Sequence, residues 1–298
     1  MNTGMSRRTF LKASSAAGLG IGLRGVSLGA EAGKGAPNAV KLGWYIGITS
    51  YTFNRFTFVE SVEKTAALGL HHIEAFEWQR LSKARPKVKI DGSMPAADRK
   101  ELKKRLDDAG VTFCNIYCRN HRNEADARRR FEFAKEMGVT TLVAEPSPNS
   151  FDLIEKLCDE YRINMAVHNH PQPSHYWHPD RVLAVCKGRA KRIGVCCDTG
   201  HWVRSGIQPV DALKMVQGRI FTFHLKDIKT FGKKGSPCVP YGTGKGDIAG
   251  IMHEVHRQGL KDMVFGIEYE PYRPTNFDAA AKCVAYFDKV AAEILAKA

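Results

Sequence analysis

The residues of this 298-residue chain best suited to hold a cation or move a proton stand at the ends of short apolar runs. They are Glu74, Glu145, His168 with His170, Asp198, His224, and Glu268 with Glu270. Side chains alternate along a strand, so Glu268 and Glu270 share a face, as do His168 and His170, and also His224 and Lys226. Hard carboxylate oxygens with one or two imidazoles and no thiolate suit Mn²⁺, Mg²⁺, Co²⁺ or Zn²⁺ better than copper or an iron–sulfur centre. The best set of four is Glu145, Asp198, His224 and Glu268, with Glu270 as the alternative to Glu268, which follows directly on its apolar run. His168 or His170 is left as a fifth ligand, a base or a core histidine. A divalent cation in such a site polarises a carbonyl, so that a positioned base can take the proton from the neighbouring carbon.

These residues need a scaffold that brings strand ends together. Eight β-type runs are legible: 45–49, 72–76, 112–116, 141–145, 164–168, 193–198, 220–224 and 264–268. Between them lie helical segments with apolar residues at three- and four-residue spacing, such as Phe58 to Leu70, Asp98 to Ala109, Ala125 to Met137 and Phe277 to Ala296. Gly69, Gly110, Gly138, Gly218 and Gly259 sit where helices end. The pattern predicts an α/β protein, a single (β/α)8 barrel over 43–298, whose chemistry gathers at the C-terminal ends of the strands. An open doubly wound sheet is the rival, and no glycine fingerprint follows the first strand to support it.

Hydrophobic residues make up 43% of the chain, aromatic residues 9% and charged residues 26%, which excludes a disordered chain. No apolar run approaches the ~20 residues of a membrane span. The formal charge is +14, and residues 1–30 contribute Arg7, Arg8, Lys12 and Arg24 with no acid. What remains is spread over helix faces such as 99–105, a solvated surface rather than a nucleic-acid footprint. Ser6-Arg7-Arg8-Thr9-Phe10-Leu11-Lys12, the apolar stretch Ala13 to Leu23 and the small residues ending at Ala30 resemble a twin-arginine export signal. That implies export of the folded protein to the periplasm or beyond, with 31–42 as a linker. The eight cysteines lie mostly among apolar residues, and Cys196 and Cys197 point to opposite faces of one strand, so they are expected to be reduced and buried.

Taken in order, Gly47-Ile48-Thr49-Ser50-Tyr51-Thr52-Phe53, Asp198-Thr199-Gly200-His201-Trp202, His224-Leu225-Lys226-Asp227 and Ile267-Glu268-Tyr269-Glu270 resemble the xylose isomerase-like TIM-barrel family of sugar phosphate isomerases and epimerases. The resemblance runs from about Gly43 to Tyr286. It implies one divalent ion, manganese first, held by two glutamates, an aspartate and a histidine; Asp198 and His224 match two of these positions. His201 matches a substrate-binding histidine and Lys226 a substrate-facing lysine, and His168 and Trp202 are further substrate contacts. Many relatives have Glu-Asn-His at the fifth strand, whereas this chain has His168-Asn169-His170, with Glu145 next door as the replacement carboxylate.

The implied activity is a sugar isomerase or epimerase that abstracts a proton next to a carbonyl through a metal-bound enediolate. Glu270, His170 and Glu74 are the candidate bases, and His201 and Lys226 orient or protonate oxygens. Trp177, Trp202 and Tyr241 are expected to wall the sugar ring. A lyase acting on a 3-keto-glycoside, an endonuclease-four-like phosphodiesterase and a non-catalytic sugar-binding protein are the alternatives. The substrate is a small sugar or keto-sugar, nucleic acid is not expected as a partner, and a homo-oligomer is left open. Gly242-Thr243-Gly244-Lys245-Gly246-Asp247 lacks the spacing of a phosphate loop. Asp247 reads as a helix cap, and Lys233, Lys234 and Lys245 as solvated charges or a weak anion site.

Overall fold

The structure, a computed structural model, describes residues 35–271 and 276–297. The segment read as an export signal lies outside the described residues. Part of the stretch read as a linker is helix α1 (Pro37–Lys41). Asn38 fastens it to the far end of the chain, its amide and side chain donating to the two oxygens of Asp288 at 2.7 and 2.8 Å.

The strands are β1 (Trp44–Thr49), β2 (His72–Phe76), β3 (Thr112–Tyr117), β4 (Thr141–Ala144), β5 (Asn164–His168), β6 (Ile193–Asp198), β7 (Ile220–Leu225), a short antiparallel pair β8 (Asp227–Ile228) and β9 (Cys238–Val239), and β10 (Met263–Ile267). All but β8 and β9 form a closed barrel, in the order β1-β10-β7-β6-β5-β4-β3-β2. Every pairing in it is parallel, and the barrel closes where β1 meets β10, Trp44 beside Met263 through Ile48 beside Ile267. The eight strand runs read from the sequence are the eight barrel strands.

The helices that cover the barrel are α2 (Phe58–Ala67), α3 (Ala96–Ala109), α4 (Glu124–Met137), α5 (Phe151–Tyr161), α6 (Pro179–Cys186), α7 (Thr199–Arg204), α8 (Pro209–Met215), α9 (Ile248–Arg257) and α10 (Asn276–Leu295). Local chemistry fixes their ends. Thr57 and Glu60 form a reciprocal capping box on α2, and the Asn123 side chain accepts from Asp126 N–H on α4. Such caps contribute about 1 kcal/mol each. Gly110 and Gly138 end α3 and α4 at φ 63° and 78°, a left-handed turn that strains any residue with a Cβ.

Aromatic packing holds sheet and helices together. Phe223 and Phe265 stack at 4.5 Å, and Phe265 meets Trp44 at 5.7 Å and Phe287 of α10 at 5.0 Å. Full burial of each such ring stabilises the fold by about 1.5–3 kcal/mol. All eight cysteines are buried and free. Among the described residues no helix is long and apolar enough to cross a membrane.

The glycine-rich turn is not built for phosphate. Its Gly244 and Gly246 amides donate to the carboxylate of Asp227, at 2.9 and 2.8 Å, so the groups that would cradle an anion already hold one. Asp247 caps α9 by accepting from Gly250 N–H at 3.0 Å.

Candidate metal centre and active site

All eight barrel strands run the same way, so their C-terminal ends share one rim. The register sets Asp198 directly beside His224 and Thr49 beside Glu74. Asn169 ties β5 to β6, its side chain donating to the Asp198 carbonyl and accepting from the Asp198 amide, both at 3.0 Å. Asp198 also caps α7, Oδ1 accepting from His201 N–H at 2.9 Å. That cap explains the Asp-x-x-His spacing: the aspartate that starts the helix turns His201 back over the same rim.

Asp198 Oδ2 is left to face the barrel axis. His168 Nε2 lies 3.2 Å from it, and His224 Nδ1 lies 2.6 Å from Glu268 Oε2. His168, Asp198, His224 and Glu268 are all buried, and one ligand atom from each lies within 4.8 Å of the others. The sequence reading puts Glu145 in this set; the structure puts His168 there instead. Glu145 Oε1 stands behind that ring, 3.1 Å from His168 Nδ1, as Glu74 Oε1 stands behind His224, 2.7 Å from Nε2. Each histidine of the cluster therefore has its far nitrogen on a carboxylate, the arrangement that fixes a metal-binding imidazole and raises its basicity.

Two atoms test whether a cation fits. His224 Nδ1 and Glu268 Oε2 are buried and 2.6 Å apart, and neither has any other hydrogen-bond partner. Without a metal the charged ring places a proton between them; with the Nε2 hydrogen directed at Glu74, a divalent cation would take that proton's place and satisfy both lone pairs. Two imidazole nitrogens and two carboxylate oxygens are a donor set suited to a divalent metal.

The charge balance agrees. Five carboxylates (Glu74, Glu145, Asp198, Glu268 and Glu270) face two fixed cations, Lys226 and Arg204. Burial pulls the His224 imidazole down, and Cys196, Glu74 and Glu268 reverse this and hold it well above the ordinary value. Burial likewise opposes the charged form of His168, and its bonds to Asp198 and Glu145 raise it. The cluster attracts positive charge.

Lys226 is buried among acids. Its ammonium donates to Asp198 Oδ2 at 2.6 Å and Glu270 Oε1 at 2.8 Å, with Glu268 Oε1 at 3.2 Å. Burial is outweighed by these carboxylates, so Lys226 stays charged far above the usual lysine range. Glu270 is also gripped by Arg204 Nη2 at 2.5 Å, and despite burial its carboxyl falls to about 2 through Lys226 and Arg204. Burial drives His201 well below the ordinary imidazole value, and Lys226 adds to this against the pull of Asp198. Arg204 Nη1 lies 3.1 Å from His201 Nδ1 and Lys226 Nζ 3.3 Å from Nε2, so both ring nitrogens face cationic donors, which keeps the ring neutral.

His170 is different. Its side chain is 48% exposed, Nδ1 binds Glu145 Oε1, and its ring lies 4.9 Å from that of His201. Ser174 donates to the other oxygen of Glu145 at 2.8 Å.

The chain belongs to the xylose isomerase-like TIM-barrel family. Its family model matches residues 62–289. Among solved structures, an uncharacterized protein of Parabacteroides distasonis ATCC 8503 is 27% identical, with a TM-score of 0.67 over 83% of this chain and 99% of that one. A D-tagatose 3-epimerase-like protein is 16% identical, with a TM-score of 0.65 over 84% and 99%. A xylose isomerase-like TIM-barrel protein of Mycobacterium smegmatis in complex with magnesium is 17% identical, with a TM-score of 0.66 over 84% and 97%. No curated protein sequence matches the chain.

Within this family fold, the sequence reading missed three contributors. Arg204 lies one helical turn beyond His201, on the same face of α7, and the spacing was visible. Tyr117 ends β3, its ring 5.1 Å from His168 and 6.4 Å from His224. Cys238 Sγ lies 3.6 Å from Glu270 Oε2, brought there by the unpredicted β8–β9 pair. The expected aromatic wall is largely elsewhere. Trp202 is 1% exposed and Tyr241 4%; Trp202 is one residue past His201 and so turned about 100° away from it, into the core. Tyr241 donates to the Leu225 carbonyl at 2.8 Å. The Trp177 ring packs on His178, at 5.2 Å.

Proposed function

We propose that the protein is a divalent-metal-dependent sugar isomerase or epimerase that abstracts a proton next to a carbonyl. The observation that carries this reading is the buried pair His224 Nδ1 and Glu268 Oε2, which have no partner but each other, within the four-residue cluster. Asp198, His224, Glu268 and His168 would hold the ion. When bound, a divalent ion supplies Lewis-acid polarisation of a carbonyl, which makes the adjacent C–H acidic.

The remaining residues divide the proton work by their partners. Glu74 is engaged behind His224 and orients it. Glu270, held by Arg204 and Lys226 with its carboxyl at about 2, is a weak base. His170 faces solvent, and Glu145 fixes Nδ1, so Nε2 is the atom that takes the proton. His201, held neutral between Arg204 and Lys226, orients a substrate oxygen. The Lys226 ammonium stabilises negative charge as it develops on the substrate. A cleft this rich in carboxylates repels a phosphate backbone, which supports a neutral sugar over a nucleic acid.

The test is proton–deuterium exchange by NMR, with Mn²⁺-loaded protein in D₂O and a panel of free ketoses, aldoses and 3-keto-glycosides. The expected result is exchange at the carbon beside the carbonyl, abolished by chelation and by Asp198→Ala. An eliminated product would make the enzyme a lyase; no exchange on any substrate, with metal bound, overturns the enolisation reading.

A further inference from the structure

The two sides of the barrel mouth differ in chemistry. Arg204, Lys226 and Glu270 come from the β6, β7 and β10 ends and give one side fixed charge. The ends of β1, β2 and β3 give the other side aromatic rings. Tyr51 is 38% exposed and packs edge-on against Phe76 at 5.4 Å; Phe76 meets Trp78 at 5.1 Å, and Trp78 meets Tyr117 edge-on at 5.8 Å. Tyr51 lies close enough to the site for its phenol to rise through burial and then through Glu268 and Glu270.

The order of these rings is informative. Tyr117 touches the cluster histidines, and Trp78 stands one ring further out. The Arg119 guanidinium lies 4.7 Å from the centre of the Trp78 ring, and the Arg119 side chain is exposed. One aromatic face covers the apolar C–H face of a pyranose, while a guanidinium stacked over the other, as Arg119 is over Trp78, offers its fork of donors to hydroxyls past the ring edge. Both stand one aromatic ring beyond Tyr117, which itself packs on the cluster histidines.

The position of Trp78 is set from behind. Glu77, the residue before it, accepts from Arg119 N–H at 3.0 Å and pairs with Arg130 Nε at 2.9 Å. The β2 and β3 ends are thereby locked together, and the Trp78–Arg119 pair is built rather than incidental.

We propose that Trp78 and Arg119 form an outer subsite for the second ring of a glycoside, with the reacting ring over Tyr117. The substrate class is then a sugar that carries a further ring, a disaccharide or an aryl glycoside, rather than a free monosaccharide. This rests on the sugar-processing reading of the site.

The test is calorimetric titration of the Mn²⁺-loaded protein with cellobiose, maltose, p-nitrophenyl β-D-glucoside and glucose. At least one two-ring ligand is expected to bind about tenfold tighter than glucose. Trp78→Ala is expected to remove that advantage, Trp78→Phe to keep most of it, and Arg119→Ala to reduce it; circular dichroism checks that each variant is folded. Equal affinities, no binding of any two-ring ligand, or an advantage that survives Trp78→Ala overturns the subsite. A retained glycoside preference without deuterium exchange would sink enolisation alone, whereas exchange on free sugars without that preference sinks the subsite alone.

Discussion

Glu74 reaches His224 from behind: its Oε1 lies 2.7 Å from Nε2, the ring nitrogen turned away from Glu268. The bond keeps a hydrogen on Nε2 and so commits Nδ1, which faces Glu268 Oε2, to the cluster. Glu74→Ala frees the ring to rotate and to exchange its hydrogen. Metal affinity is expected to fall about 10- to 100-fold, read by competition with a chelator of known strength. Unchanged affinity would show that Nδ1 is not a ligand.

Lys226 presents the opposite case, a buried cation that acids surround. Lys226→Met keeps the chain length and removes the charge shared by Asp198, Glu268 and Glu270. Breaking a buried ion pair from one side costs about 3–5 kcal/mol, because the partner charges stay behind. In chelator, urea unfolding of this variant should show a loss of that order. Added Mn²⁺ should recover part of it by binding the folded form. An unshifted midpoint in chelator would mean that the acids are protonated or solvated.

Most of the fold is legible because buried parallel strands read as near-continuous apolar runs closed by a glycine or a polar residue. The β8–β9 pair is not, since two-residue strands leave no pattern. Asp198, His224 and Glu268 follow from the strand-end rule alone. The choice between His168 and Glu145 does not, because both follow directly on the paired Ala144 and Val167, and the strand-end rule cannot rank two residues at the same level. Trp202 reads as a loop residue that could wall a sugar ring, but it lies within α7, whose phase, set by the Asp198 cap, turns it into the core. Tyr117 occupies a strand end as plainly as any ligand, but a phenol carries no charge to mark it in the sequence.

Asp227 organises the loop that follows β7. It is 2% exposed and accepts from the Gly244 and Gly246 amides. Asp227→Ala leaves these two amides and that of Ile228, which also donates to the carboxylate at 3.0 Å, without their acceptor, at a cost of about 1–3 kcal/mol each. A lower melting temperature is expected, with faster tryptic cleavage at Lys233, Lys234 or Lys245. An unaltered digestion pattern would show that the loop holds without the carboxylate.

We propose that Arg7 and Arg8 direct export of the folded protein by the twin-arginine route. Support comes from the run Ser6 to Lys12 and the apolar stretch after it. Lys in place of both arginines keeps the charge and is expected to hold the protein in the cytoplasm, as cell fractionation would show. Normal export of that double variant would assign the segment to another route.

His170 and Glu145 make the sharpest mechanistic prediction. Glu145 binds both His168 and His170, so it couples the cluster to the exposed imidazole. If His170 is the base, His170→Ala should lower the rate of deuterium exchange about 10²- to 10⁴-fold while the protein still takes up one equivalent of metal. Glu145→Gln should lower the rate less, since an amide still holds Nδ1 but no longer stabilises the charged ring. Glu145, His168 and His170 also form a smaller group with converging ligand atoms. A parallel loss of metal and activity in His170→Ala would therefore make His170 a ligand and return the base to Glu270 or Glu74.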